Sequence, residues 1–258
     1  MERIVSRRGV TVSYDRSGDG PPLVLVHGAF SDHETNWTFV KPVLRGSFTV
    51  YAMARRGRGE TDATDGHRLE DEVDDLVALL ESLRERVFLL GHSYGAHCAL
   101  GATRLAPERV LRLVLYEPAW PDILAPKGMA RLEELAASGA WDEFALAFFH
   151  DTLRVPMPEL QALRETGLWP PILADARASL GDLRALGRYE FDAGRYRHLQ
   201  LPVLLQVGTE SPRDLYVTDA LAAALPDARV EELQGQAHEG MTTAPEQYVQ
   251  SVSRFLRS

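Results

Sequence analysis

Residues 89–100 read LLGHSYGAHCAL, and they place Ser93 between Gly91 and Gly95 at the end of an apolar run. The VFLL that comes before has the length of a buried strand, and the small apolar residues that follow are typical of a packed helix. G-x-S-x-G at such a junction is the pattern of a nucleophile elbow, a strained turn that exposes the serine hydroxyl. Side chains at the two glycine positions would collide with the turn. The stretch predicts a sharp turn and makes Ser93 a candidate nucleophile.

Short apolar segments alternate with helical segments along most of the chain. The predicted strands are VTVSY (10–14), LVLV (23–26), FTVYAM (48–53), RVFLL (86–90), RLVLY (112–116), PVLLQV (202–207) and ARVEEL (228–233). Helical periodicity lies between them, as in LEDEVDDLVALLESLRE and TDALAAALP. Strands separated by helices predict an α/β protein with a mostly parallel central sheet flanked by helices. VTVSY alternates polar and apolar residues, so we expect it to be half-exposed.

The alternation stops between Pro118 and His198, where the sequence contains helix-like pieces and no convincing strand. We predict a helical cap over one end of the sheet, formed by residues 118–198 and inserted between two parts of the core, 1–117 and 199–258. Trp141, Phe144 and Phe148 share one helical stripe in this segment. An amphipathic stripe packs a helix onto its neighbour in most cases. The alternative is that some of these aromatic rings line an apolar pocket.

Composition excludes several classes of function. The chain of 258 residues has a formal net charge of -9 and a pI near 5.4, which disfavours binding to nucleic acid. It has no apolar run of membrane-spanning length, and its first residues lack the apolar region of a secretion signal. Cys98 is the only cysteine, and no cysteine or histidine cluster has zinc-site spacing. We expect a cytoplasmic protein without a metal or cofactor. A composition rich in arginine and poor in lysine hints at a bacterial source.

Four motifs in order resemble those of the α/β-hydrolase superfamily, and the resemblance covers essentially the whole chain. They are LVLVHGAF (23–30), RRGRGETD (55–62), GHSYG (91–95) and GQAHEGM (235–241). The resemblance implies that they are, in turn, the oxyanion loop, a glycine-rich loop, the nucleophile elbow and the loop of the catalytic histidine. We call the second of these motifs, residues 55–62, the arginine loop. The family often has aspartate directly before it, where this chain has Ala54. That departure argues against a role for the loop in ordering the site.

A serine hydroxyl needs a base to become a good nucleophile, and the chain offers eight histidines. His238 follows the last predicted strand in a loop bounded by glycines, and it completes the chain order serine, acid, histidine of this fold. We therefore predict that His238 is the base. The other seven histidines are expected to be structural or surface residues: His27, His33, His67, His92, His97, His150 and His198.

The resemblance also implies the groups that stabilise a developing oxyanion. They are the backbone amides of Ala29, which follows His27-Gly28, and of Tyr94, which follows the serine. The N-terminus of the helix after the elbow favours negative charge at the same place. Phe30 is then expected to face the substrate pocket from the oxyanion loop.

The acid that orients His238 has two candidates. Most of the family carries it after the strand represented here by PVLLQVG, where this chain has Glu210 and, farther on, Asp214. Ser211 stands at the place of the usual aspartate. Some branches, haloalkane dehalogenases among them, carry the acid one strand earlier, where VLYEP contains Glu117. A carboxylate buried there would need a partner, which His238 would supply. We predict Glu117 as the acid and keep Glu210 as the alternate.

These residues predict a serine hydrolase that cleaves an ester or related acyl bond, such as a carboxylesterase or lactonase, through an acyl-enzyme. We expect a small-molecule substrate with an apolar acyl or aryl group, in a pocket lined by Phe30, Trp141 and Phe148. One alternative is another reaction in the same fold, such as carbon–carbon bond hydrolysis or a biosynthetic cyclisation. A second alternative is a ligand-binding protein without turnover.

Overall fold

Eight strands form one sheet, and the computed structural model describes residues 1–258. The strands are β1 (Glu2–Val5), β2 (Thr11–Ser17), β3 (Pro22–Val26), β4 (Thr49–Met53), β5 (Val87–His92), β6 (Val110–Tyr116), β7 (Val203–Gly208) and β8 (Ala228–Leu233). Their order across the sheet is β1-β2-β4-β3-β5-β6-β7-β8. The first two strands pair antiparallel, and β3 to β8 are parallel. The predicted α/β class and mostly parallel sheet are therefore confirmed.

Helices connect the strands and cover the sheet. They are α1 (Lys41–Leu44), α2 (Leu69–Ser82), α3 (Tyr94–Leu105), α4 (Pro126–Ala137), α5 (Trp141–Ala147), α6 (Met157–Arg164), α7 (Trp169–Leu186), α8 (Thr218–Ala224), α9 (Gly240–Thr243) and α10 (Pro245–Arg257). A π-helical turn, Phe148–Thr152, continues α5. None of these helices is both long enough and apolar enough to cross a membrane.

Both faces of the sheet are buried, which explains why β3 is a continuous apolar run. Val24 and Val26 point into a core formed with α2, α3 and α8. Leu23 and Leu25, which alternate with them, point into a second core formed with α1 and α10. Side chains of a strand alternate between faces, so a strand covered on both sides must be apolar at every position.

Strand β2 differs from its expected half-exposed state. Ser13 is completely buried because the loop that follows β4 lies over it. Its amide donates to Thr61 Oγ1 at 2.9 Å, and its carbonyl accepts from the Ala54 amide at 3.0 Å. A polar side chain in an alternating strand was thus buried by hydrogen bonding rather than exposed to water.

The last helix, α10, shows how periodicity produces packing. Tyr248, Val252 and Phe255 recur at helical spacing and are buried against the second face of the sheet. Arg254 and Arg257 lie on the outer side, near the helix C-terminus where positive charge is favoured. Helix α10 therefore covers the core into which Leu23 and Leu25 of β3 point.

Residues between β6 and β7 contain α4 to α7 and no strand apart from one isolated bridge, which joins Ala119 to Tyr216. Their apolar side chains gather around Phe144, Phe148 and Trp169. Phe30, from the loop after β3, belongs to the same cluster. We propose that residues 118–198 are a cap inserted in a core of residues 1–117 and 199–258.

Candidate active site

The carboxyl ends of β5 and β6 bring two candidate residues to the same level of the sheet. His92 and Tyr116 pair in register as the last residues of these neighbouring strands. The Ser93 amide donates to Tyr116 O at 2.8 Å, and the Glu117 amide donates to Gln206 O on β7 at 3.2 Å. Ser93 and Glu117 therefore leave the middle of the sheet side by side, although 24 positions separate them in the chain.

Ser93 occupies a strained turn between β5 and α3. Its backbone has φ 52° and ψ -119°, a conformation that side-chain-bearing residues seldom adopt. A Cβ on Gly91 would lie 2.6 Å from Ala96 Cα, and a Cβ on Gly95 would overlap the carbonyl oxygen of His27. The turn therefore requires glycine on both sides. The Ser93 side chain is partly exposed, and its hydroxyl makes no hydrogen bond within the protein.

Glu117 and His238 form a close carboxylate–imidazole pair. His238 Nδ1 lies 2.6 Å from Glu117 Oε2, and the Gly208 amide donates to Glu117 Oε1 at 2.7 Å. Glu117 is completely buried. Burial lowers the pKa of His238, but the hydrogen bond and the charge of Glu117 outweigh burial and raise that pKa above 6.5. The pair orients the ring so that Nε2 remains available to a hydroxyl.

Three further side chains hold the loop of His238. The Tyr116 hydroxyl donates to Ala237 O and accepts from the Gly240 amide. His92 Nε2 lies 3.0 Å from His238 O. The Tyr216 ring stacks on the imidazole, with centroids 5.4 Å apart and planes 13° apart. The histidine is thus fixed through its backbone and its ring face as well as through Nδ1.

The backbone amides of Ala29 and Tyr94, near Ser93, make no hydrogen bond within the protein. They are the amides that the resemblance implies for an oxyanion hole. The next amide along the loop, that of Phe30, is already used, because it donates to Ser179 Oγ at 2.7 Å. Tyr94 is the first residue of α3, so its amide also lies at the positive end of the helix dipole. The two amides are suited to stabilise a negative oxygen.

Backbone strain concentrates in this region. Four residues other than glycine have positive φ, and three of them are Phe30 (56°), Ser93 (52°) and Glu117 (47°). Such residues cost of order 1–3 kcal/mol each and cluster at functional sites. All three lie in loops at the carboxyl ends of β3, β5 and β6. The strain and the candidate residues therefore coincide.

The alternate acid, Glu210, lies outside this arrangement. It is exposed, and its side-chain oxygen is 3.5 Å from Thr209 Oγ1. Asp214 is also exposed and pairs with Arg154 at 2.7 Å. Neither carboxylate contacts His238, whose partner is Glu117.

The aromatic residues predicted to line the pocket pack chiefly on each other. Phe30 stacks on Phe148, with ring centroids 4.8 Å apart, and both are buried. Trp141 contacts Phe144 edge-on at 5.5 Å and remains partly exposed. This arrangement is what the packing interpretation requires. The lining of a substrate pocket by these rings stays a prediction.

Arg55, Ser179 and Asp182 were not predicted individually from the sequence as functional residues. Arg55 is completely buried, and its guanidinium binds the carbonyls of the oxyanion loop and Asp182 on α7. These contacts contradict the expectation, drawn from Ala54, that this loop has no role in ordering the site. The available signal was Asp175-Ser179-Asp182, polar residues at i, i+4 and i+7 of the helix. That spacing places them on one face.

Two clusters contain enough imidazole and carboxylate groups to be considered as metal sites. One is His92, His238 and Glu239, and it shares His238 with the carboxylate pair. The other is His67, Glu72 and Asp182, which is completely enclosed. Arg55 binds both of its carboxylates, at 3.0 Å and 2.7 Å, so a guanidinium already supplies the positive charge there.

A cleft of about 450 Å³ opens beside the site. Its lining is Trp120, Asp122, Ile123, Arg154, Asp214 and Leu215. It includes neither Ser93 nor His238. The cleft adjoins the site through Leu215, whose neighbour Tyr216 stacks on His238.

The fold and the site together define a class of protein. A serine on a strained turn ends the central strand of a parallel sheet, and a carboxylate–imidazole pair lies on the adjoining loops. This is the architecture of α/β-hydrolase-fold proteins. Residues 23–251 match the model of the Alpha/beta hydrolase family, and the chain belongs to that family.

Sequence identity to individual relatives is low. A 2-hydroxy-6-oxo-6-(2'-aminophenyl)hexa-2,4-dienoic acid hydrolase of Metapseudomonas resinovorans is 33% identical over 45% of this chain and 41% of its own length. A dihydrolipoyllysine-residue acetyltransferase component of the acetoin cleaving system of Pseudomonas putida is 30% identical over 92% of this chain and 64% of its own length. The matches therefore span less than two-thirds of either relative.

Among solved structures, an alpha/beta hydrolase from Sphaerobacter thermophilus superposes with a TM-score of 0.84 at 28% identity. The superposition covers 99% of this chain and 100% of that one. The whole chain, including the helical segment between β6 and β7, therefore has a counterpart in a solved fold.

Proposed function

We propose that this protein is a serine hydrolase that cleaves an ester or related acyl bond through an acyl-enzyme, with Ser93 as nucleophile, His238 as base and Glu117 as orienting acid. One observation carries the proposal. The buried Glu117 binds His238 Nδ1 at 2.6 Å, beside a serine held at φ 52° whose hydroxyl is uncommitted. A buried carboxylate that orients an imidazole is the arrangement that makes a serine hydroxyl nucleophilic.

The chemistry requires only side chains and backbone groups of the chain. Ser93 Oγ attacks the substrate carbonyl while His238 Nε2 takes its proton, and the amides of Ala29 and Tyr94 bind the oxygen that becomes negative. His238 then gives the proton to the departing alkoxide, which leaves as an alcohol. Water attacks the acyl-enzyme with the same base, and the acid and the free serine are restored.

Carbon–carbon bond hydrolysis is a second candidate, favoured by one comparison. The Metapseudomonas relative is named as the hydrolase of a hydroxy-oxo-dienoic acid, a compound whose name contains no ester. Hydrolysis of such a carbon chain is possible at a carbon–carbon bond. The second relative is named as an acetyltransferase, which denotes acyl transfer. Both reactions can use the same serine and base, so the substrate decides between them.

A fluorophosphonate probe combined with nitrophenyl esters of increasing acyl length tests the proposal. We expect the probe to label Ser93 and the enzyme to hydrolyse at least the short esters. Ser93→Ala should abolish labelling. Its turnover should fall to the residual level left by binding and the oxyanion hole, a loss of about 10⁶-fold by analogy with serine proteases.

Ser251→Ala is the matched control, because Ser251 is a buried serine on α10 that contacts none of Ser93, His238 and Glu117, and its hydroxyl accepts a hydrogen bond from Gln206 at 2.8 Å. It should keep both labelling and turnover. Labelling of Ser93 without turnover of any ester would favour carbon–carbon cleavage or cyclisation. A protein that is folded but never labelled would be a binding protein, and the proposal would be wrong.

A further inference from the structure

The peptide that joins Gly28 to Ala29 is held by its carbonyl oxygen. Arg55 Nη2 donates to Gly28 O at 2.9 Å, and Arg55 Nε donates to His27 O at 2.9 Å. The carbonyl and the amide hydrogen of a trans peptide point in opposite directions, and the chain has no cis peptide. By fixing Gly28 O on its own side, Arg55 turns the Ala29 N–H to the other side.

Arg55 also contacts the residue that carries the second amide. Its guanidinium carbon lies 4.4 Å from the centroid of the Tyr94 ring, within the range of a cation–π contact. Arg55 and Tyr94 are both buried. Arg55 therefore contacts the peptide that carries the first amide of the candidate oxyanion hole and the side chain of the residue that carries the second.

Helix α7 of the cap supplies a counter-charge that fixes Arg55. Asp182 accepts from Arg55 Nη2 at 2.7 Å and from Nη1 at 3.1 Å, and both residues are completely buried. Glu72 on α2 accepts from Nη1 at 3.0 Å. Burial lowers the pKa of Arg55, but Asp182 and Glu72 outweigh burial and raise it, so the guanidinium stays charged. A buried charge can lie only where its partners are.

The same face of α7 holds the next peptide of the oxyanion loop. Ser179 Oγ accepts from the Phe30 amide at 2.7 Å, and Ser179 is completely buried. The hydroxyl donates to Asp175 O at 2.9 Å within the helix, which directs its lone pairs at Phe30. Ser179 and Asp182 lie three positions apart, so one rigid helix face carries both contacts.

We propose that helix α7 of the cap orients the oxyanion hole, with Asp182 acting through Arg55 and Ser179 acting through the Phe30 amide as positioning residues. This inference rests on the proposed acyl-transfer function. It gives the cap a part in transition-state stabilisation, beyond covering the substrate.

Two variants test the positioning role. Asp182→Asn keeps the shape of the side chain and removes its charge, and Ser179→Ala removes the acceptor of the Phe30 amide. A complete oxyanion donor is worth about 10²–10³ in rate, so a loosened donor should lower kcat about 10- to 100-fold. KM should change by less than about two-fold, since the amides act in the transition state.

Inhibitor binding supplies a readout that a merely structural role would not move. A trifluoromethyl ketone forms a tetrahedral adduct with the serine and places an oxyanion in the hole. Its inhibition constant should rise in each variant by the same factor by which kcat/KM falls. The affinity for the alcohol product should stay unchanged, because that product is neutral and places no negative oxygen in the hole.

Matched controls separate positioning from stability. Asp75→Asn removes an equally buried carboxylate that binds Arg56 of the same loop at 2.6 Å and does not reach the oxyanion loop. Ser251→Ala removes a buried hydroxyl elsewhere. Both controls should lose thermal stability without the selective fall in kcat or in ketone affinity.

The outcomes distinguish this inference from the proposed function. If the wild-type protein hydrolyses esters while folded Asp182→Asn and Ser179→Ala keep kcat within about two-fold, or lose it in step with the controls, the positioning role is wrong and the hydrolase stands. If Asp182→Asn does not fold, Ser179→Ala carries the test. If the wild-type protein shows neither ester turnover nor labelling of Ser93, the function and the inference both fail.

Discussion

Glu117 uses both carboxylate oxygens, one for His238 and one for the Gly208 amide. Its place at the end of β6 distinguishes it from Glu210, which follows β7 and is exposed. A carboxylate at 0% exposure is stabilised only when its lone pairs are used, and here they are. The carboxylate hydrogen-bonded to His238 is therefore the one that follows the earlier strand, β6.

The pH dependence of turnover follows from this pair. A base acts when neutral, and Glu117 raises the pKa of His238 above its ordinary 6.5. We therefore expect kcat/KM to increase with pH through a limb whose midpoint lies above 6.5. Glu117→Gln removes the charge and leaves the burial that lowers this pKa, so the limb should move to lower pH. The same variant should lower kcat by about 10³–10⁴-fold, as loss of the acid does in serine proteases.

Glu210→Gln is the control, since Glu210 is exposed and has no contact with His238. Its pH profile and kcat should match those of the wild-type protein. A Glu210→Gln profile displaced like the one expected for Glu117→Gln would assign the acid to the later strand. Ester hydrolysis over the range pH 5 to 9 measures both variants.

The element on which the site depends is the unit formed by β5, the turn and α3. Its tightness comes from Gly91 and Gly95, which let α3 begin directly over the backbone of β3. We expect Gly95→Ala to destabilise the protein by about 3 kcal/mol, the upper end of overpacking costs, because the new Cβ meets backbone atoms that cannot turn away. Denaturant unfolding followed by circular dichroism measures the change.

Gly128→Ala provides a matched comparison on α4. A Cβ there would meet only the Leu124 side chain, at 3.9 Å. Alanine is the better helix former, so this variant should gain about 0.5–1 kcal/mol. A Gly95→Ala protein as stable as the wild-type protein would mean that the elbow is not packed as described.

The same elements show which parts of the fold the sequence could predict. Continuous apolar runs such as that of β3 identify strands buried on both faces, and all seven predicted strands form. β1 was not predicted because ERIV is an exposed edge segment without an apolar signal. Ser13 was misjudged because its burial depends on the loop that contains Thr61, 48 positions later, a tertiary effect that local alternation does not report.

Some residues of the candidate site could likewise be predicted from the sequence, and others could not. Ser93 and His238 stand in short motifs whose spacing carries the chemistry, so they were predicted from local sequence. The orienting acid could follow either of two strands, and only the folded sheet shows Glu117 beside the imidazole. Asp182 and Ser179 act across 127 and 149 positions on Arg55 and Phe30, and no local pattern reports such pairs.

At the scale of the whole molecule, the arginine loop joins the core to the proposed cap. Arg56 binds Asp75 of the core helix α2, whereas Arg58 binds Asp175 and Asp182 of the cap helix α7. Arg56 and Arg58 are almost completely buried. The negative net charge of the chain thus includes carboxylates that lie inside it, each placed against a guanidinium. The buried pairs couple the two parts because neither part can move without leaving charges unpaired.

This coupling predicts how firmly helix α7 is held to the rest of the molecule. Arg58→Met removes a guanidinium that donates to Asp175 at 2.9 Å and to Asp182 at 2.7 Å, and it leaves the buried Asp182 and the partly buried Asp175 each short of a partner. We expect the free energy of opening α7 to fall by about 3 kcal/mol or more, the cost of breaking a buried ion pair. Hydrogen–deuterium exchange of residues 169–186, compared with residues 87–92 of β5, measures that opening against global unfolding.

Arg184→Met is the appropriate reference for this variant, because it removes an ion pair with Glu133 that lies within the cap and is exposed to solvent. Exposed pairs contribute about 0–1 kcal/mol, so exchange in α7 should stay close to that of the wild-type protein. Faster exchange in α7 alone for Arg58→Met locates the coupling in the buried network. Equal acceleration in α7 and β5 would instead show that core and cap unfold as one unit, and that Arg58 stabilises the whole molecule without governing the cap.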